Sequence, residues 1–367
     1  MTVKSASTSF KIAFIGESVS GFGGMETVIK QVIENFHGNH PVIDCTMFFF
    51  CRNDNMDKEW LSNIDHHCSF SKSPIKLLRR AKHISAFSKW ILENKPDVVI
   101  CFDMISCLYA EKTRKKVGQY YTIFSWPHFS LDHKKHANAI VWADFHLAIS
   151  NGITEQMIKM GIDKKKIHTI YNPVSTKAVI IPSPQTAPAV FVYIGRMKFE
   201  GQKRIKDLLD GLSFVKGNWI LHVIGDGSDS ELCKAYARDL GIAEHIKWYG
   251  WQTKPWDVVI NDIRTVTALL LTSSFEGFPM TLLEAMSYGI PCISSDCMSG
   301  PKDIIKPGIN GELYPTGDIK QFSDIVSDLI SGAKTYNNTI IQDSIGDFYE
   351  DVYFGSVRHA IFSKINK

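Results

Sequence analysis

The chain has 367 residues, 44% of them hydrophobic and 22% charged, which suits a folded globular protein of about two domains. Those proportions exclude collagen, a coiled coil and wholesale disorder, and the longest apolar run, residues 98–110, is broken by Asp103 well short of the ~18–20 residues of a membrane span. Net charge is only +3, but residues 1–175 hold 22 Lys and Arg against 16 Asp and Glu, while the remainder holds 19 against 22. A basic first half points to an anionic partner for that half alone: nucleic acid, an anionic membrane surface or a phosphorylated substrate.

The first ten residues are polar and look disordered over 1–9, and the apolar stretch 12–15 is too short for a signal-peptide core, so a cytoplasmic chain is expected. The eight cysteines include no C-x-x-C pair and read as thiols, with neither a zinc site nor a redox motif. In chain order, strands are predicted at 11–15, 43–50, 97–102, 120–125 and 145–149, with helices clearest at 25–36, 75–93 and 152–160. That βαβ rhythm implies a parallel sheet with helices on both faces. It stops around residues 172–188, where Pro173, Pro182, Pro184 and Pro188 mark a linker. It then restarts with strands at 190–195, 219–225, 246–250, 266–272 and 291–295 and helices at 203–212, 230–240 and 279–288. The expected architecture is α/β: two Rossmann-like domains, 1–173 and 189–342, facing across a cleft and joined by a linker at 174–188. The aromatic segment 343–367 is expected to return as a helix to the first domain. In such sheets ligands bind beyond the carboxyl ends of the strands.

Three stretches carry chemistry. Gly21-Phe22-Gly23-Gly24-Met25-Glu26 follows the first strand and opens a helix, where backbone amides attract anions, although a plain strand-to-helix turn explains it as well. The dinucleotide fingerprint G-x-G-x-x-G does not fit, and Arg52 stands where a ribose-binding acid is expected, which argues against a dehydrogenase. In the second stretch, Gly195 to Lys203, Arg196 and Lys203 offer a planar fork and a mobile point charge suited to a diphosphate; two solvated surface cations are the plainer reading. The third, Glu276-Gly277-Phe278-Pro279-Met280-Thr281-Leu282-Leu283-Glu284, is the most specific. Pro279 starts a helix whose first amides, those of Met280, Thr281 and Leu282, face an anion, with one carboxylate on each side. Favourable interaction with the helix dipole accounts for Glu276 but not for Glu284.

Glu276 and Glu284, seven residues apart, match the E-x7-E motif, and with Gly23-Gly24 and the Arg196/Lys203 pair the whole chain resembles the retaining glycosyltransferases of family 4, which have the GT-B fold. Residues 122–136 and 275–301 are similar to the members of that family that build the bacterial lipopolysaccharide core. The resemblance implies transfer of galactose from UDP-galactose to a glucose of that core in α-1,6 linkage. Arg196 and Lys203 would neutralise the diphosphate, Thr281 and the amides of Met280 and Leu282 would complete its cradle, Glu284 would hold the ribose and Glu276 the donor hexose. Ile224-Gly225-Asp226-Gly227 and Gly250-Trp251 would lie near the base, with Trp251 stacking on uracil; a tight turn and a core tryptophan are the alternatives. His128 matches the family's active-site histidine, with His133 and His136 as rivals and a structural role as the plainer reading.

No D-x-D occurs in the sequence, so no metal and no other cofactor is expected, and fixed cations with a helix dipole would hold the leaving UDP. Lys76, Arg79, Arg80 and Lys82, interleaved with apolar residues on one helix, would meet core phosphates or an anionic inner-membrane face, making the protein peripheral there; a solvated amphipathic helix is the alternative. Other readings are a family 4 glucosyltransferase using UDP-glucose on another acceptor and a silent lipopolysaccharide- or nucleotide-binding protein. No nucleic-acid motif is present.

Overall fold

A computed structural model describes residues 10–19, 24–39, 43–53, 56–133 and 135–365. Among these, β1 (Phe10–Glu17), β2 (Ile43–Cys51), β3 (Asp65–Phe70), β4 (Val98–Cys101), β5 (Thr122–Ser125), β6 (Phe145–Ala148) and β7 (Ile167–Thr169) form one parallel sheet in the order β3-β2-β1-β4-β5-β6-β7. A second parallel sheet holds β8 (Ala189–Ile194), β9 (Trp219–Ile224), β10 (Ile246–Gly250), β11 (Ala268–Leu271), β12 (Cys292–Ser295) and β13 (Gly311–Tyr314) in the order β10-β9-β8-β11-β12-β13. Each order reverses beside its first strand, as in doubly wound Rossmann-like sheets. The chain divides into two compact units, Met1–Asn172 with Phe354–Lys367, and Pro173–Tyr353.

The central strands are buried on both faces, and so they read as unbroken apolar runs; in β1, residues 12–16 are all buried. On one face of the first sheet Ala13, Ile15, Phe48 and Phe50 pack with Phe87, Trp90, Ile91 and Tyr109 from two helices, Lys76–Asn94 and Met104–Val117. Phe87 and Trp90 stack at 5.8 Å with planes 11° apart. At the end of β1 a Cβ on Gly16 would collide with the Phe102 ring, so any larger residue must displace that ring.

Sequence periodicity locates the inner strands and misses three, β3, β7 and β13, each of which lies at a sheet edge with a single neighbour. Asp-His-His-Cys-Ser-Phe in β3 buries only Ser69, so it carries no apolar run to detect. Helix Met104–Val117 was also hidden, because its first turns are buried nearly all round and show no amphipathic stripe. Helix Ile319–Ser331 carries readable signals, the Asp318 cap on the Gln321 amide and Gly332 at φ 73°, that the periodicity reading passes over.

Residues 174–188 contain no helix or ladder strand and are laid against the second unit: the Ile181 amide donates to the Tyr288 carbonyl, and the Pro182 carbonyl accepts from Val266. Segment 343–365 is not one helix. It begins in the helix Asn338–Ser344, turns at Gly346–Phe348 and continues as helix Glu350–Phe362. Within the first unit Phe362 packs 5.2 Å from Phe10, and Arg358 donates to the Asn35 side chain at 2.8 Å. All eight cysteines are free thiols, and among the described residues no helix is long and apolar enough to cross a membrane.

Candidate active site

In the second unit the carboxyl ends of three strands are tied together by backbone. Gly195, after β8, donates to the Ile224 carbonyl of β9 at 3.0 Å, and Gly225 donates to the Gly250 carbonyl of β10 at 2.8 Å. Gly225 adopts φ +143°, and a Cβ there would collide with the Gly195 carbonyl, so glycine is required for this close approach. Ile224 is buried and its carbonyl is already taken. Asp226 accepts from the Gly227 amide at 2.7 Å and from the Ser230 hydroxyl, and both bonds hold its carboxyl below the usual range. That carboxylate is thus spent on the tight turn into helix Ser230–Asp239. Trp251, by contrast, is 60% exposed just past β10, which removes the core-tryptophan alternative.

The loop after β8 runs on to helix Ile205–Ser213, which starts two residues later than its sequence suggests and leaves Lys203 in the loop. Gly201 and Arg204 take φ of 79° and 49°, and the loop is stitched to the one after β11: Ser274 donates to the Gln202 carbonyl at 2.8 Å and Thr272 to the Lys203 carbonyl at 3.0 Å. The stitching carries Lys203 onto Glu276, Nζ to Oε1 2.6 Å, with side-chain exposures of 15% and 8%. Sequence reasoning gave these two residues separate partners; in the structure each neutralises the other, because neither charge is left unpaired where water is scarce. The Ser299 hydroxyl donates to the Glu276 carbonyl and holds the loop's backbone. Arg196 is exposed, and beside it a cavity of about 640 Å³ is lined by Lys198, Phe199, Gln202, Lys203 and Ser228.

Pro279 caps helix Met280–Ser287 in extended conformation. The expectation of three outward amides is corrected here: the buried Leu282 donates its N–H to the Pro279 carbonyl at 3.1 Å, so Met280 and Thr281 alone present amides at the mouth. One turn further in, Glu284 accepts at Oε2 from the Trp256 indole N–H at 2.8 Å. Burial pushes the Glu284 carboxyl above its usual range, against the opposing pull of Trp256 and Lys177.

In the first unit, Gly24 opens helix Gly24–Asn39; Gly23 lies outside the described residues, as does the segment 1–9. His128 follows β5 and is buried with neither ring nitrogen hydrogen-bonded among the described residues, its ring 4.5 Å from that of Trp126. Burial alone lowers it to about 3, so it is a neutral imidazole. Gln156 fixes the loop beyond it, donating to Ser130 and Asp132 and accepting from the Leu131 amide, at 2.8–2.9 Å. His136 is exposed in left-handed conformation and borders a groove of about 560 Å³ with Arg80, Leu108, Asn138 and Trp142. On helix Lys76–Asn94, Lys76 and Lys82 are exposed beside Ile75, Leu77 and Leu78, which are 57%, 76% and 57% exposed. Arg79 and Arg80 are half-buried: Arg79 donates to the Ser73 carbonyl, and both arginines act on Glu17, whose carboxyl is raised by burial and by Asp103. Among the described residues no cluster of three or more His, Cys, Asp or Glu side chains is arranged around a metal position.

Residues 22–178 match the model of Glycosyltransferase Family 4 and residues 178–343 that of Glycosyl transferases group 1. Over 358 residues the chain is 62% identical to the lipopolysaccharide 1,6-galactosyltransferase of Salmonella typhimurium, covering 97% of this chain and 100% of that protein. Its namesake in Escherichia coli is 59% identical, with 97% and 99% covered. The chain belongs to this glycosyltransferase family. A solved apo lipopolysaccharide outer core galactosyltransferase matches with a TM-score of 0.94 at 62% identity, covering 97% of this chain and 100% of that one. The Anabaena protein HepE, solved in complex with UDP, has the same fold at 16% identity, with a TM-score of 0.77 and 96% and 100% covered. The two sheets are the paired Rossmann-like domains of the family's GT-B fold.

Within that fold the structure brings Lys203 and Glu276 into contact, with Arg196 and the amides of Met280 and Thr281 on neighbouring loops of the same unit. Sequence reasoning missed Trp256 as the partner of Glu284, since nothing in the spacing links residues 28 apart. It also missed Thr272, Ser274 and Ser299, whose short polar side chains after an apolar strand are the only signal of a loop held by its own hydroxyls.

Proposed function

We propose that this chain moves galactose from UDP-galactose to a glucose of the lipopolysaccharide core, with retention at the sugar carbon and formation of an α-1,6 linkage. The observation that carries this reading is the 62% identity, over 97% of this chain and 100% of the relative, to a lipopolysaccharide 1,6-galactosyltransferase, together with an E-x7-E pair on the loop after β11 and the helix it leads into. Arg196, Lys203 and the amides of Met280 and Thr281 grip the diphosphate, Glu284 holds the ribose hydroxyls, and Trp251 packs on the uracil. Lys203 exchanges its bond to Glu276 for the phosphate, which frees Glu276 to accept from the hexose hydroxyls.

In the reaction the bond from the galactose C1 to the β-phosphate oxygen breaks and a bond to the acceptor's 6-oxygen forms on the same face. The acceptor proton passes to the departing phosphate oxygen. Fixed cations and the helix mouth hold the developing negative charge, so turnover needs no metal. His128, neutral and with no hydrogen-bond partner among the described residues, is suited to exchange hydrogen bonds with a sugar hydroxyl rather than to act as a cation. The first unit takes the acceptor, and exposed Ile75, Leu77 and Leu78 with Lys76 and Lys82 rest on the anionic cytoplasmic face of the inner membrane.

The test is transfer of labelled galactose from UDP-galactose to purified core lipopolysaccharide lacking that branch, with UDP-glucose alongside and EDTA present. Incorporation from UDP-galactose alone, undiminished by EDTA, is expected. Incorporation only from UDP-glucose would overturn the donor, and loss in EDTA would overturn the metal-free mechanism.

A further inference from the structure

Glu284 is an expensive group to place where it lies. It sits partly buried inside helix Met280–Ser287, where burial raises its carboxyl, and among the described residues its single side-chain donor is the Trp256 indole N–H, 2.8 Å from Oε2. The indole is itself held. Its ring packs on Tyr288 at 5.0 Å with planes 31° apart, and the Lys177 ammonium lies 5.8 Å from the centre of that Tyr288 ring on the linker side. Trp256 is only partly buried, so water would satisfy its N–H without help from a carboxylate. The bond therefore matters more to Glu284 than to Trp256. It takes up one carboxylate oxygen and restrains the group, and among the described residues no side chain donates to Oε1.

The same bond joins two loops of the donor site. Trp256 stands in the short helix Pro255–Val258, five residues after Trp251, whereas Glu284 belongs to the helix whose mouth carries Met280 and Thr281. We infer that Trp256 is a positioning residue for the sugar-nucleotide: it clamps Glu284 so that a single carboxylate oxygen is aimed at the ribose hydroxyls, and so makes the site select a ribonucleotide over its 2′-deoxy analogue. This rests on the proposed ribose role of Glu284, and the experiment separates the two.

Calorimetry would measure the affinities of UDP and 2′-deoxy-UDP for the full chain, for Trp256→Phe, for Glu284→Gln and for the double variant. A hydrogen bond to a charged group is lost in the deoxy case, so the wild-type chain is expected to prefer UDP by roughly 10-fold or more. Trp256→Phe keeps the ring on Tyr288 and removes only the N–H. It is expected to shrink that preference to within about 3-fold, to raise the KM for UDP-galactose with kcat little changed, and to have no further effect in the Glu284→Gln background. Trp256→His, which keeps a ring N–H, tests rescue, and the preference ratio is read on folded protein whatever the change in melting temperature. A Trp256→Phe chain that keeps the full preference for UDP, while Glu284→Gln loses it, would overturn the clamp and leave the ribose role standing. An unchanged preference in Glu284→Gln would overturn the ribose role, and the clamp with it.

Discussion

The two units share a strand order, to which the first adds a seventh strand, and in both the loops beyond the strands are tied to neighbours; they differ in how the polar side chains on those loops are engaged. In the second, the loops that follow β8, β9 and β11 are tied to a neighbour, and both acids of the E-x7-E pair already have a side-chain donor: Glu276 has Lys203 at 2.6 Å and Glu284 has the Trp256 indole at 2.8 Å. In the first, His128 is buried with neither ring nitrogen bonded among the described residues, and apolar side chains at the start of helix Lys76–Asn94 stand in solvent beside lysines. The contrast fits the proposed division of labour between the halves. A diphosphate and a ribose are small, fixed and strongly charged, so a prebuilt, internally neutralised cradle saves the cost of reorganising it at the moment of reaction. For the proposed lipid-anchored acceptor, unspent side chains such as His128 are left to be engaged when it binds.

The largest effect should come from breaking the internal pair. Glu276→Ala is expected to lower transfer by roughly 10²–10³-fold while UDP binding is kept, because Lys203 is then free for phosphate. Lys203→Ala should instead weaken UDP binding by ~10-fold or more and lower stability by about 3 kcal/mol, since it strands a buried carboxylate. Calorimetry with UDP and chemical denaturation of the two variants check this. Loss of UDP binding in Glu276→Ala would show that the pair acts as a unit in the cradle.

His128 provides a sharper test on the other side. Its folded value of about 3 lies below the ordinary 6.5, so the unfolded chain binds a proton that the native site refuses. Stability from this site is therefore complete above pH ~6.5 and falls as the pH drops towards 3, by about 2 kcal/mol at pH 5. His146 and His222, each lowered to about 4 by burial, add to the same acid limb. His128→Gln should flatten that limb, as measured by denaturation at pH 7.5 and pH 5, and should reduce kcat without altering UDP affinity. An unchanged acid limb would mean that the imidazole is hydrated in solution.

The smallest expected effect concerns the surface. Leu77→Ser with Leu78→Ser, and separately Lys76→Glu with Lys82→Glu, should each weaken binding to anionic liposomes several-fold and leave UDP affinity untouched. Flotation assays with and without anionic lipid read this directly. Equal binding by all variants would assign the helix to solvent. Arg79 and Arg80 are poorer probes, because their half-buried guanidinium groups also act on Glu17.

Much of this was legible in the residues themselves. Apolar runs long enough for central strands, glycine where two backbones meet at Gly195 and Gly225, and Glu276 and Glu284 either side of a helix start are local patterns, and local patterns survive in a one-dimensional reading. They determined the α/β class, the division into two Rossmann-like halves and the family. Edge strands such as β3 were not legible, since a strand with one neighbour and a wet face needs no apolar run. Nor was the fate of each polar group. Whether Leu282 offers its amide or spends it on Pro279, whether Lys203 faces solvent or Glu276, and whether Glu284 meets water or Trp256 depend on residues 3 to 73 positions apart brought together by packing. Hydrogen bonds and ion pairs are decided at distances of about 3 Å, and only the folded chain specifies those distances.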